Sequence, residues 1–181
     1  FALGARVTLI TGPVALPDPV GVKTVHVETA QQMLDAVHLA LPADIAVFAA
    51  AVADWRSAAA PQEKIKKSGE RVAVDLVENP DILATVAKLD SERPSLVIGF
   101  AAETREVIAY AKKKLNAKGA DWIVANDVSS KARVLGGDSN TVHLLTARDV
   151  DSWPQMSKED VAERLMLRAA EHLRRTTAAA E

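Results

Sequence analysis

The chain has 181 residues, of which 49% are hydrophobic and 25% are charged, and its formal net charge is −2. These values are typical of one globular domain of ordinary size, and they argue against binding to nucleic acid or anionic membranes through general electrostatic attraction. The absence of cysteine excludes disulfides, thiolate nucleophiles and Cys-ligated zinc, and no apolar run reaches the length of a membrane span.

The sequence predicts alternating strands and helices. β-branched or continuously apolar runs indicate strands, and apolar residues at helical spacing indicate helices. In chain order we predict a strand at Arg6–Thr11, a strand at Lys23–Val27, a helix from Thr29 to about Leu41, a buried parallel strand at Ile45–Ala51, an edge or hairpin strand at Val72–Val77, a helix from Asn79 to about Leu89, a buried strand at Leu96–Phe100, a helix from Thr104 to about Ala117, strands at Asp121–Asn126 and Thr141–Thr146, and a helix from Ser157 to about Arg175.

This alternation predicts an α/β fold, a Rossmann-like arrangement of three layers with a mostly parallel central sheet covered by helices on both faces. Such folds place their sites at the carboxyl ends of the strands. That rule selects four places: Gly12-Pro13, Ala49–Asp54, Phe100–Thr104 and Asn126-Asp127.

The opening residues, FALGARV, read as the end of a helix that runs into a strand. A doubly wound domain begins instead with a strand and a glycine-rich turn before that helix. We therefore expect residues 1–181 to be a single domain that lacks the N-terminal strand and phosphate loop of such a fold.

The segment Ala49–Lys67 combines two features of a nucleotide site. Alanines at a strand end leave backbone amides and carbonyls open to a ligand, and Asp54 adds a carboxylate to the same crevice. Glu63–Lys67 then carries three lysines, Lys64, Lys66 and Lys67, which suit phosphate groups. By itself the lysine run is more typical of a solvated surface.

Three further stretches have both a binding and a structural interpretation. Gly99–Thr104 offers free amides at a strand end, or serves tight packing between strand and helix. Lys114 and Lys118 lie on one helical face, where they suit a phosphate or complement the helix dipole. Glu78–Leu83 begins a helix with free amides, which is common in any fold.

Together these stretches closely resemble phosphopantothenate–cysteine ligases, the synthetase domain of the bacterial bifunctional flavoprotein of coenzyme A biosynthesis. The similarity runs in order over nearly the whole chain. The matching stretches are Thr11–Val14, Ala50–Trp55, Glu63–Lys67, Asn79–Leu83, Gly99–Thr104, Lys118–Asp127 and Gly136–Asn140.

The resemblance implies a two-step ligation of 4′-phosphopantothenate to L-cysteine with CTP. An acyl-cytidylate forms with release of pyrophosphate, and the cysteine amine then displaces CMP to give phosphopantothenoylcysteine. Asp54 and Lys64 are implied as catalytic residues. The implied nucleotide-binding residues are Phe48, Ala49, Ala50, Asp54, Lys64, Pro80, Asp81, Ile82, Leu83, Phe100, Lys114 and Lys118.

The same resemblance implies Mg²⁺ as cofactor, CTP as co-substrate, a cytoplasmic location and a homodimer. The arm around Val72–Val77 is the expected dimerisation element, with an ordinary surface hairpin as the alternative. No FMN is expected on this chain, because the flavin decarboxylase domain lies outside it. The family's phosphate loop is expected before Phe1, and a polypeptide that truly lacks that loop is expected not to complete catalysis.

Two other functions remain open from the residues alone. The first is a Rossmann-type reductase that uses NAD(P), although Gly12-Pro13 stands where a dinucleotide site favours an acidic residue. The second is a non-catalytic nucleotide-binding or dimerisation module.

Overall fold

A computed structural model describes residues 1–58, 73–128 and 139–178 of the chain. The eleven strands of these residues are β1 (Thr8–Thr11), β2 (Lys23–His26), β3 (Ile45–Phe48), β4 (Trp55–Ser57), β5 (Leu76–Glu78), β6 (Leu96–Glu103), β7 (Trp122–Asp127), β8 (Ser139–Asn140), β9 (Val142–Thr146), β10 (Val150–Ser152) and β11 (Met156–Ser157). The helices are α1 (Ala30–Ala40), α2 (Ile82–Ala87), α3 (Val107–Lys118) and α4 (Lys158–Ala178).

The central sheet has five strands in the order β10-β9-β7-β6-β3. Strands β3, β6 and β7 are parallel, and β9 and β10 continue the sheet in antiparallel fashion. Three smaller sheets of two strands each pair β1 with β2, β4 with β5, and β8 with β11. The predicted α/β class with a mostly parallel central sheet is confirmed.

Alternating side chains divide the core between the two faces of this sheet. One cluster joins Val97 and Ile123 to Leu83 of α2 and Leu115 of α3. The other joins residues such as Leu96, Ile98 and Trp122 to Val161, Leu165 and Ala169 of α4. Because neighbouring residues of β6 enter opposite clusters, the sheet is covered on both sides, which gives the three layers predicted.

Local signals set the helix boundaries. Thr29 caps α1 by accepting a hydrogen bond from the Gln32 amide at 3.1 Å, and the Gln32 side chain accepts from the Thr29 amide at 3.1 Å. Ser157 accepts from the amide of Asp160 at 3.0 Å at the start of α4. Gly119 ends α3 with φ of 72°, a conformation that glycine adopts without strain.

Gly99 allows α2 to approach β6 closely. A Cβ atom at this position would lie 2.6 Å from Cδ2 of Leu83 and 2.9 Å from Cδ1 of Ile123. The structural interpretation of this glycine, tight packing between strand and helix, is therefore the one that the geometry supports.

Several predicted element ends are wrong. The helix expected from Asn79 to about Leu89 spans only Ile82–Ala87, because Asp81 caps its start. The helix expected from Thr104 begins at Val107, because β6 continues to Glu103 and Ala101, Ala102 and Glu103 still pair with β7. The buried strand expected at Ile45–Ala51 ends at Phe48, and it is the partly exposed edge of the sheet, with Val47 43% exposed.

The predicted hairpin strand is shorter than Val72–Val77. Val72 lies outside the described residues, and β5 begins only at Leu76. Its partner β4 was not predicted, since three residues carry too little periodicity to be recognised.

Burial is uneven along the chain. No residue from 1 to 58 is fully buried, whereas the core residues of the described chain lie between Ile82 and Ala169. None of the described helices has the length and apolarity that crossing a bilayer requires.

Candidate functional site

The carboxyl ends of the parallel strands meet at one edge of the sheet. Phe48, the last residue of β3, pairs with Gly99 of β6, and Ala101 of β6 pairs with Ala125 of β7. Ala49 and Ala50 follow directly and are exposed, as is Asp54. Small, exposed residues therefore follow the end of β3, the place where the sequence predicts a strand-end crevice.

Asn79 connects this strand-end loop to the beginning of α2. Its side-chain amide donates to the carbonyl of Ala53 at 2.8 Å, and its backbone amide donates to the carbonyl of Asp54 at 2.8 Å. Its Oδ1 accepts from Arg56 of β4 at 3.1 Å. Asn79 belongs to the predicted helix start Glu78–Leu83 and to the family-like stretch Asn79–Leu83, but it is not among the implied nucleotide-binding residues.

Lys114 and Lys118 extend from α3 towards the same region. The Nζ of Lys114 donates to the carbonyl of Phe100 at 2.7 Å. The Nζ of Lys118 forms an ion pair with the carboxylate of Asp81. The structure thus joins four of the predicted site residues in two pairs, Lys114 with Phe100 and Lys118 with Asp81.

Asp81 also caps α2, and its Oδ1 accepts from the amide of Ala84 at 3.0 Å. Partial burial of the carboxyl raises the pKa of Asp81. The pKa nevertheless lies below the ordinary value of 3.8, because Lys118 and the backbone amide of Ala84 donate hydrogen bonds to the carboxylate and because Lys118 and Lys114 are positively charged. Asp81 is therefore a carboxylate at neutral pH, and it holds Lys118 near the helix start.

The predicted residues differ in what they can offer to a ligand. Ile82 and Leu83 are 6% and 8% exposed, so these residues belong to the core and offer little surface to a ligand. The side chain of Phe48 packs with the cluster of α2 and α3, whereas that of Phe100 packs with the cluster of α4. The two aromatic rings consequently lie on opposite faces of the sheet.

Some predicted features lie outside the described residues. Lys64 and the rest of Glu63–Lys67 fall in the undescribed range 59–72, and the structure describes only Ser139 and Asn140 of the stretch Gly136–Asn140.

Asn126 stands at the carboxyl end of β7, next to Asp127. Its buried Oδ1 accepts no hydrogen bond from the described part of the chain. The sequence rule for strand ends selected this position, but the list of implied nucleotide-binding residues did not include it.

A protein-family comparison matches residues 1–173 of the chain to the family described as DNA/pantothenate metabolism flavoprotein C-terminal domain. Curated relatives include the coenzyme A biosynthesis bifunctional protein CoaBC of Escherichia coli K12, which is 43% identical over 168 residues, covering 91% of this chain and 41% of the relative. The CoaBC protein of Vibrio vulnificus YJ016 is 42% identical over 159 residues, covering 86% of this chain and 38% of the relative. The chain thus spans about two fifths of the length of these relatives.

Solved structures give the same relationship. The crystal structure of the C-terminal domain of a CoaBC protein superposes with a TM-score of 0.76 at 35% identity, covering 96% of this chain and 77% of that domain. A DNA/pantothenate metabolism flavoprotein from Streptococcus pneumoniae has a TM-score of 0.76 at 21% identity, covering 94% of this chain and 83% of that one. Because the Streptococcus pneumoniae structure is only 21% identical, it supports the fold of this chain and not its function.

Proposed function

This chain belongs to the family of DNA/pantothenate metabolism flavoprotein C-terminal domains, and we propose that it is the ligase domain that joins 4′-phosphopantothenate to L-cysteine with CTP in coenzyme A biosynthesis. The observation that carries the proposal is the 35% identity, over 96% of the chain, to the C-terminal domain of a CoaBC protein. The site geometry supports it, because two lysines and exposed strand-end backbone lie where a nucleotide is expected in an α/β fold. The family relationship favours the ligase over an NAD(P)-dependent reductase.

The proposed reaction has two steps. A carboxylate oxygen of 4′-phosphopantothenate attacks the α-phosphorus of CTP, the bond from that phosphorus to the bridging oxygen breaks, and pyrophosphate leaves. The cysteine nitrogen then attacks the acyl carbon of the acyl-cytidylate, the bond from that carbon to the phosphate oxygen breaks, and CMP leaves while the nitrogen loses a proton to solvent.

The chain's residues act on this reaction by position and charge. Phe48, Ala49 and Ala50 border the nucleotide, and Lys114 and Lys118 bind its phosphates. Lysine charges near the leaving pyrophosphate stabilise the negative charge that develops there. Lys64 is proposed for the turnover of the acyl-cytidylate, a role that rests on the family resemblance.

Mg²⁺ fits this site as an ion that arrives with the nucleotide. In the described residues no three His, Cys, Asp or Glu side chains converge on one position, and the exposed Asp54 is the carboxylate next to the crevice. Proteins commonly hold Mg²⁺ through one or two carboxylates together with substrate phosphates. When bound, the ion neutralises charge on the phosphate oxygens.

We also propose that the family dimer uses the hairpin of β4 and β5. Four large apolar side chains of this region are well exposed: Trp55 is 53% exposed, Val74 58%, Leu76 56% and Val77 37%. A two-stranded hairpin with exposed apolar side chains is marginally stable in water. We therefore expect a second copy of the protein to bury these side chains in a dimer interface.

The nucleotide specificity tests the proposal. CTP, ATP and NADPH are titrated against the full-length natural protein in the presence of Mg²⁺, and formation of phosphopantothenoylcysteine is measured for the wild type and for Lys64→Ala. We expect CTP to bind most tightly, and Lys64→Ala to slow product formation. Preference for NADPH, or no nucleotide binding at all, would contradict the ligase.

A further inference from the structure

We propose that Asn79 is a positioning residue for the nucleotide, because it fixes the strand-end loop against the beginning of α2. The inference rests on the proposed function, since it assigns a role in the same site. Within the described residues, Asn79 forms hydrogen bonds with Ala53, Asp54 and Arg56, so its effect on the nucleotide is indirect.

Three hydrogen bonds define its position. The side-chain Nδ2 donates to the carbonyl of Ala53 at 2.8 Å, and the backbone amide donates to the carbonyl of Asp54 at 2.8 Å. These two bonds hold consecutive carbonyls of the loop that follows β3. Pro80 and Asp81 come directly after Asn79, so any movement of the loop relative to α2 must break at least one of the bonds.

The third bond fixes the orientation of the side-chain amide. Oδ1 of Asn79 accepts from the guanidinium of Arg56 at 3.1 Å, and the same guanidinium donates to the carbonyl of Glu78 at 2.6 Å. Arginine has only donors, so the oxygen of the amide faces Arg56 and the NH₂ group faces Ala53. An aspartate at this position would keep the contact with Arg56 but place an oxygen against the carbonyl of Ala53.

This arrangement matters because the two joined segments carry different parts of the proposed site. The loop carries Ala50 and Asp54, and the beginning of α2 carries Asp81, which holds Lys118. Catalytic and binding groups must be kept within a fraction of an ångström of their productive positions. Asn79 therefore sets the distance between the strand-end part of the site and its phosphate-binding part.

The test compares Asn79→Ala and Asn79→Asp with two control variants in the full-length natural protein. Arg56→Ala removes the outer bond but leaves both bonds from Asn79 to the loop. Gln31→Ala removes one exposed hydrogen bond of α1, to Asp35, away from the site. The measurements are amide hydrogen exchange of residues 50–57 and 79, the dissociation constant of CTP, KM for CTP and for cysteine, and the midpoint of thermal unfolding.

We expect both Asn79 variants to exchange these amides about 5- to 10-fold faster, as the loss of one hydrogen bond predicts. The dissociation constant and KM for CTP should rise by a similar factor, whereas KM for cysteine and the thermal midpoint should match Gln31→Ala. In Arg56→Ala, the dissociation constant of CTP should rise less than half as much as in the Asn79 variants.

Unchanged exchange of residues 50–57 in the Asn79 variants would overturn the inference, whatever the activity. Faster exchange with unchanged CTP binding would also overturn it, because the loop would then be held for a reason other than nucleotide binding. A wild-type protein that binds no CTP is a separate result, which contradicts the ligase proposal and removes the role of Asn79 with it.

Discussion

At the scale of single residues, the two lysines of α3 are held by acceptors of the protein itself. Lys114 donates to the carbonyl of Phe100, and Lys118 pairs with Asp81. A bound phosphate would compete with these acceptors or share them. Sequence spacing predicted the common face of the two lysines, but it could not predict Asp81 as a partner, because Lys118 and Asp81 are 37 positions apart in the sequence.

Lys118→Ala is expected to weaken CTP binding by about 10- to 100-fold, since a hydrogen bond to a charged group contributes roughly 1.5–3 kcal/mol. The variant also leaves the carboxylate of Asp81 without its cation, which adds repulsion towards phosphates. Isothermal titration with CTP measures the effect. Lys112→Ala removes the same charge from an exposed position of the same helix and should change the affinity less than twofold. Equal losses in the two variants would show that Lys118 acts only through the general charge of α3.

At the scale of elements, the hairpin of β4 and β5 connects the site to the proposed dimer contact. Trp55 of β4 follows Asp54 directly and pairs with Glu78 of β5, which precedes Asn79. The sequence predicted one strand of this hairpin from the alternation in Val72–Val77, yet the pairing depends on partner residues 19 to 23 positions away whose own signal is weak. Similarly, the length of β6 is set by its pairing with β7, which local preferences towards a helix at Thr104 do not reveal.

Leu76→Lys is expected to convert the dimer to a monomer, because it places a charge among the exposed apolar side chains of the hairpin. Leu76 is 56% exposed, so the substitution costs the isolated fold little. Sedimentation equilibrium of the full-length protein measures the mass. Leu39→Lys makes the same chemical change at a position of α1 that is 88% exposed, and it should leave the dimer intact. A dimer that survives Leu76→Lys would place the contact elsewhere.

At the scale of the whole molecule, the described core is concentrated in the second part of the chain. Strands β6, β7 and β9 supply fully buried residues to both faces of the sheet. By contrast, α1 has no buried residue, and β1 and β2 form a separate two-stranded sheet. Apolar periodicity predicted the longer elements of both parts but not the short strands β4, β8, β10 and β11. It indicates which face of an element is apolar and not how much of that face is covered.

This distribution predicts unequal local stability in the 181-residue chain. Amides of α1, which belongs to the part without fully buried residues, are expected to exchange hydrogen at least tenfold faster than amides of β7, since opening the former exposes little buried apolar surface. Native-state hydrogen exchange followed by mass spectrometry provides the comparison. Equal protection of the two elements would mean that the whole chain opens as one cooperative unit.

The most direct test of the central claim is to incubate the full-length natural protein with CTP, Mg²⁺ and 4′-phosphopantothenate while cysteine is withheld. The ligase account predicts that pyrophosphate is released in an amount close to that of the enzyme, and that mass spectrometry detects a phosphopantothenoyl cytidylate. Addition of cysteine should then convert this species to phosphopantothenoylcysteine and CMP. Pyrophosphate release that does not depend on 4′-phosphopantothenate, or product formation without CTP, would contradict the account.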